Sequence, residues 1–94
     1  MYLMISKYVK SLEEVDGARD DHYAFLDGLE AQGLVLLAGR QDPPVGGVVL
    51  IDVDSEARAL EIFADDPYVT AGVAEYQAVG WNPRRGSLKD HLKV

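Results

Sequence analysis

Ninety-four residues make a single domain, and the absence of cysteine excludes disulfide frameworks, thiolate metal sites and cysteine nucleophiles. The net charge of -7 is split: residues 1–82 carry five basic and fifteen acidic side chains, a balance of -10, whereas 83–94 carry four basic and one acidic, a balance of +3. A body this acidic repels phosphate backbones, which argues against nucleic acid as a partner, and no apolar run is long enough for a membrane span or a signal peptide. A cytoplasmic location is the expectation. Residues 1–82 are expected to form the domain and 83–94 a basic C-terminal tail, either solvated or engaged in a subunit contact.

In chain order, "MYLMISKYV" is rich in aromatic and branched residues and reads as a first strand. From Asp16 to Gln32, Ala18, Phe25, Leu26 and Leu29 recur at helical spacing, with Gly33 placed to end the helix. "LVLLAG" is a second strand, "QDPPVGG" a turn and "GVVLIDV" a third strand. Asp54 or Ser55 then caps a second helix with Ala57, Leu60, Phe63 and Ala64 on one face, stopped by Pro67. "VAEYQAVGW" is a fourth strand. The order β-α-β-β-α-β is that of a ferredoxin-like α+β fold, an antiparallel sheet with both helices on one face. "LVLLAG" and "VVLI" are apolar toward both faces, so the side without helices needs cover. A second copy of the same sheet is the simplest, giving a homodimer packed sheet to sheet.

His22 is the only histidine before the tail, and its spacing from Ala18, Phe25, Leu26 and Leu29 puts it on the inward stripe of the first helix. An imidazole there suits general acid–base chemistry if a carboxylate fixes its tautomer. Spacing alone favours the simpler alternative, a core histidine bonded to a carbonyl. Asp66, before Pro67, likewise reads first as a turn residue, although the end of the second helix shares a sheet face with His22. Arg19 precedes His22 by one turn, and Tyr68 is a core, interface or pocket aromatic. His91 lacks spaced partners, so no metal site is expected, and no motif calls for a cofactor.

"ARDDHYAFLDGLEAQGLVLLAG" and, after the second helix, "DDPYVTAGV" resemble the YciI-like (YCII-related) domain family. The family's pattern has Arg-x-x-His opening the first helix, Gly-x-Leu-x-x-Ala-Gly in the second strand, where this chain has Val35 at the leucine position, and Asp-Pro-Tyr or Asp-Pro-Phe followed by Ala-Gly. The resemblance implies a ferredoxin-like fold that dimerises into an α+β barrel. It also implies a His–Asp catalytic pair, here His22 and Asp66, with Arg19 as the matching arginine; on that reading Tyr68 is expected to line the pocket. It further implies a small enzyme without cofactor, of isomerase, lyase or dehydrochlorinase type, acting on a cyclic or aromatic molecule. A binding module of the same fold, docking a ligand or a partner without catalysis, is the alternative. Higher assembly through the tail is open. Many relatives carry proline after the second strand's Ala-Gly, where this chain has Arg40.

Overall fold

The computed structural model describes residues 1–92. Strand β1 (Tyr2–Tyr8) leads into a short helix α1 (Leu12–Gly17) and then the long helix α2 (Arg19–Ala31). Strands β2 (Val35–Arg40) and β3 (Gly47–Ile51) form a hairpin, followed by helix α3 (Glu56–Phe63), a single turn α4 (Pro67–Thr70) and strand β4 (Ala74–Gly80). A 3-10 turn at Lys89–His91 lies in the tail. The sheet order is β2-β3-β1-β4, and every neighbouring pair is antiparallel. This is the α+β arrangement expected from the sequence.

Helix ends account for most of the departures from that expectation. The helix foreseen from Asp16 begins at Arg19, and α1 stands before it. The Ser11 hydroxyl accepts from the Glu14 backbone N–H at 3.2 Å, half of a Ser-x-x-Glu capping box that starts α1. Val15, fully buried, pins α1 against Tyr68, Val73 and Ala74. Ser55, rather than Asp54, caps α3 by accepting from the Arg58 N–H. The apolar face of α3 is Ala59, Ile62 and Phe63, whereas Ala57, Leu60 and Ala64 are exposed. Six of residues 56–64 are apolar, so the periodicity there admits more than one stripe. Pro67 opens a helix as well as closing one. It occupies the first position of α4, where its missing N–H costs nothing, and Asp66 is the N-cap.

Two helices end in the same way. Gly33 (φ 74°) follows α2 and Gly72 (φ 73°) follows α4. After α2, Leu34 N–H donates to Leu29 O and Gly33 N–H to Glu30 O. After α4, Val73 N–H donates to Tyr68 O and Gly72 N–H to Val69 O. Both are Schellman caps, which need the left-handed conformation that glycine adopts most cheaply.

Helices and sheet enclose a core of Met4, Leu26, Leu29, Val35, Val49, Ile51, Val53, Ala59 and Phe63. Phe63 meets Phe25 and Tyr76 edge to face, at centroid separations of 5.5 and 4.9 Å. The register of β2 shifts between Val35, opposite Ile51, and Leu37, opposite Leu50. This bulge reverses which face each later β2 residue occupies. Beyond it, Ala38 and Arg40 stand opposite Val49 and Gly47 on the helix side, and Leu37 turns to the open face. The open face carries Leu3, Leu37, Val48, Leu50 and Trp81, with Leu37 62% and Trp81 45% exposed. The tail folds back here, so that Pro83, Leu88 and Leu92 border a space of about 530 Å³ together with these residues.

Two glycine-to-alanine variants are expected to move stability in opposite directions. Gly28, inside α2, has nothing within 4 Å of where an alanine β-carbon would sit and no special backbone angle, so Gly28→Ala should stabilise by about 0.5–1 kcal/mol. Gly72→Ala is equally free of clashes but must hold φ 73°, and should destabilise by roughly 1 kcal/mol. Denaturant midpoints at constant m-value check both signs.

Candidate functional site

Asp66 is completely buried, and its carboxylate is the meeting point of three elements. Oδ1 accepts from the Tyr68 backbone N–H at 3.0 Å, the bond that caps α4. The same oxygen lies 2.8 Å from Nδ1 of His22 on α2. Oδ2 accepts from the Tyr76 hydroxyl of β4 at 2.6 Å. The local sequence produces this arrangement directly. Pro67 holds the preceding residue in an extended conformation (φ -61°, ψ 128°), which lifts Asp66 off the end of α3 and turns its side chain back over the first turn of α4. A carboxylate at a helix N-terminus also lies at the favourable end of the backbone dipole. The acid that the end of α3 would disfavour is therefore the start of another helix.

His22 is 7% exposed. The ring of Tyr68 stacks on it at a centroid distance of 3.9 Å and an interplanar angle of 8°. With Asp66 as acceptor, Nδ1 carries the proton and Nε2 is the nitrogen left with a lone pair. No buried side-chain nitrogen or oxygen among the described residues lacks a hydrogen-bond partner, and Nε2 makes no such bond, so it reaches open space. That space is a cavity of about 440 Å³ between α2 and the sheet, bordered by Ser6, Tyr8, His22, Tyr68, Tyr76 and Arg40. A volume of this size accommodates a single-ring molecule.

The two phenols beside the acid are both shifted upward, chiefly by burial. Burial, first, and then the Asp66 charge push the Tyr76 hydroxyl far above the usual tyrosine range, so it remains a donor to Oδ2. Burial also raises Tyr68, with Arg40 opposing the shift. Arg40 borders the cavity with a partly exposed side chain. Its Nε donates to the Tyr8 hydroxyl at 3.0 Å and its Nη2 to Asp16 at 2.6 Å, and this pairing holds the Asp16 carboxyl below its ordinary value.

Of the four residues singled out in the sequence, His22 and Tyr68 border one cavity, and Asp66 lies buried behind them, bonded to both. Arg19 does not. It opens α2 one turn before His22, where three residues of helix rotate it roughly 60° away, and its side chain is exposed and off the cavity wall. Arg40 is the arginine that borders the cavity. Tyr76 is the third donor to Asp66, and only the fold brings it there. No group of three or more histidine, cysteine, aspartate or glutamate side chains that could hold a metal ion occurs among the described residues. No helix among them is long and apolar enough to cross a membrane.

The family model of the YCII-related domain matches residues 1–82. The chain belongs to the YCII-related domain family. A relative, the uncharacterized protein YjpA of Bacillus subtilis, is 31% identical over 84 residues, covering 89% of this chain and 96% of its own. Among solved structures, this YCII-related chain is similar to the 5-chloro-2-hydroxyhydroquinone dehydrochlorinase of Burkholderia phenoliruptrix, determined in complex with 2,5-dihydroxybenzoquinone. The TM-score is 0.63 at 17% identity, over 87% of this chain and 94% of that one. At that identity the likeness is one of fold.

The raised Tyr76 phenol makes the domain sensitive to alkali. Its proton is held more tightly in the folded chain than in the unfolded one, so its contribution is complete below the unfolded tyrosine value of about 10 and is lost as pH rises above it. Tyr76→Phe should therefore flatten the loss of stability above about pH 10. At neutral pH it should destabilise by about 1–3 kcal/mol, because Oδ2 of Asp66 is left buried without a donor. Urea unfolding at several pH values reads both effects.

Proposed function

We propose that the protein is a small enzyme working without cofactor, in which His22 moves a proton to or from a compact ring molecule held in the cavity beside it. The observation that carries this reading is the buried Nδ1–Asp66 contact with Nε2 left free toward the cavity. In such an arrangement Nε2 takes a proton from an acidic C–H or O–H of the substrate. Asp66 holds the ring in the one useful tautomer and stabilises the imidazolium that forms, and the imidazolium then returns the proton to another atom. Stacking with Tyr68 restricts the ring's rotation. Isomerisation, elimination and dehydrochlorination of a cyclic or aromatic molecule all begin with this transfer. The dehydrochlorinase of the same fold, solved with a dihydroxybenzoquinone, supports a ring substrate of this size.

A homodimer is part of the proposal. The open sheet face presents Leu37 and Trp81 to solvent, and a second sheet laid across it gives these side chains cover. Leu37→Glu should shift the protein to monomers in sedimentation velocity, and a dimer unaffected by the substitution would place the interface elsewhere.

Proton transfer is testable without knowing the product. Hydroxylated and chlorinated hydroquinones incubated in D₂O should lose ring-proton NMR signals faster with the protein than without it. His22→Gln should slow this exchange by about 10²–10⁴-fold with an unchanged circular dichroism spectrum. Exchange at the native rate in His22→Gln removes His22 from the chemistry. Binding without exchange in the native protein identifies a binding module.

A further inference from the structure

The cavity has two chemically different ends. Asp27 and Glu30 border it one to two turns along α2 from His22, whereas Arg40 borders it beside Tyr8 and Tyr68. Arg40 reaches this position only because of the β2 bulge. Without the register shift between Val35 and Leu37, the alternation of the strand would send Gly39 to the helix side and Arg40 to the open face.

The guanidinium is anchored without being used up. Of its five N–H groups, one is given to the Tyr8 hydroxyl and one to Asp16, which leaves three without a protein acceptor among the described residues. Its carbon lies 5.5 Å from the Tyr8 ring centroid, so the ring further restricts where the cation sits. Because the Tyr8 oxygen accepts from Arg40, its own proton is available to donate elsewhere, and a neighbouring cation strengthens that donor. The result is two donors side by side on the cavity wall, one cationic and one phenolic, in a domain whose first 82 residues carry a charge of -10.

We propose that Arg40 and Tyr8 form an anion-binding end of the cavity, and that the protein selects ring molecules bearing an anionic oxygen, such as a carboxylate, phenolate or enolate. The selection rests on the reading of the cavity as the substrate site. Asp16 lowers the net charge at this end, so its role is to aim the guanidinium, and the ligand's oxygen binds to the N–H groups Asp16 leaves free. A ring carbonyl oxygen held here is also the oxygen on which charge develops when a base removes a proton from the carbon alpha to it and the carbonyl becomes an enolate, so binding and chemistry draw on the same donors.

Benzoate and benzamide have the same ring and nearly the same shape and differ in charge. Titrated into the ¹⁵N-labelled protein, benzoate should shift the His22 signals and bind at least tenfold more tightly than benzamide, the margin of one charge-assisted hydrogen bond. Arg40→Gln should bring the two affinities to within about twofold, Arg40→Lys should retain part of the preference, and Tyr8→Phe should reduce it. Melting temperatures measured alongside separate any loss of the Asp16 tie from the change in selectivity. Equal affinities in the native protein, or a preference that survives Arg40→Gln, overturn the anion site while leaving His22 and the cavity untouched. Binding of neither compound near His22 overturns the substrate site as well. An intact charge preference without deuterium exchange overturns only the catalysis.

Discussion

A carboxylate with no exposed surface holds three elements of this domain together. Asp66 accepts from a side chain on α2, from a hydroxyl on β4 and from the first turn of α4, so each of its bonds ties a different part of the chain to one point. A buried acid is costly unless its oxygens are satisfied, and here both are. The same requirement fixes the imidazole. His22 must present Nδ1 to Asp66, and what remains of its chemistry faces the cavity. The group that stabilises the packing is therefore also the group that orients the candidate base, and changes at Asp66 will disturb both.

The site is assembled at the junctions between regular elements. Asp66 sits where α3 gives way to α4, Arg40 where β2 runs into its hairpin, and Tyr8 where β1 leaves the sheet. Each junction depends on a local device: Pro67 on the extended backbone of Asp66, the bulge on the facing of Arg40, and the Gly72 cap on the entry into β4. The sheet and α2 supply the rigid wall, with the Phe25–Phe63–Tyr76 aromatic chain beneath it. Arg40 is the arginine that borders this cavity, in a domain whose surface is otherwise acidic.

The order of elements along the chain and the inward placement of His22 were legible in the sequence, the first from apolar runs broken by turn residues and the second from the 3.6-residue repeat of the helix. The pairing of His22 with Asp66 was not legible from spacing, since 44 residues and a sheet crossing separate them. The family's motifs supplied it instead. Tyr76 as a third partner of Asp66 carried no signal in the sequence, because a strand aromatic on the helix side looks like any core residue. Two misreadings have local causes. Helix α1 announced itself through Ser11-x-x-Glu14 but is too short to show a repeat, and α3 is apolar on more than one side, which concealed the stripe of Ala59 and Phe63. Arg19 drew attention by its place in a motif, while the arginine at the cavity owes its facing to a one-residue bulge that no propensity foretells.

The most direct test of the proposed chemistry is the tautomer of His22. Long-range ¹H–¹⁵N correlation of the imidazole in the neutral protein reads which ring nitrogen carries the proton. Proton transfer by His22 requires Nδ1 to be protonated against Asp66 and Nε2 to be bare toward the cavity. A proton found on Nε2 instead would leave His22 without the free lone pair on which that chemistry depends, and would contradict it.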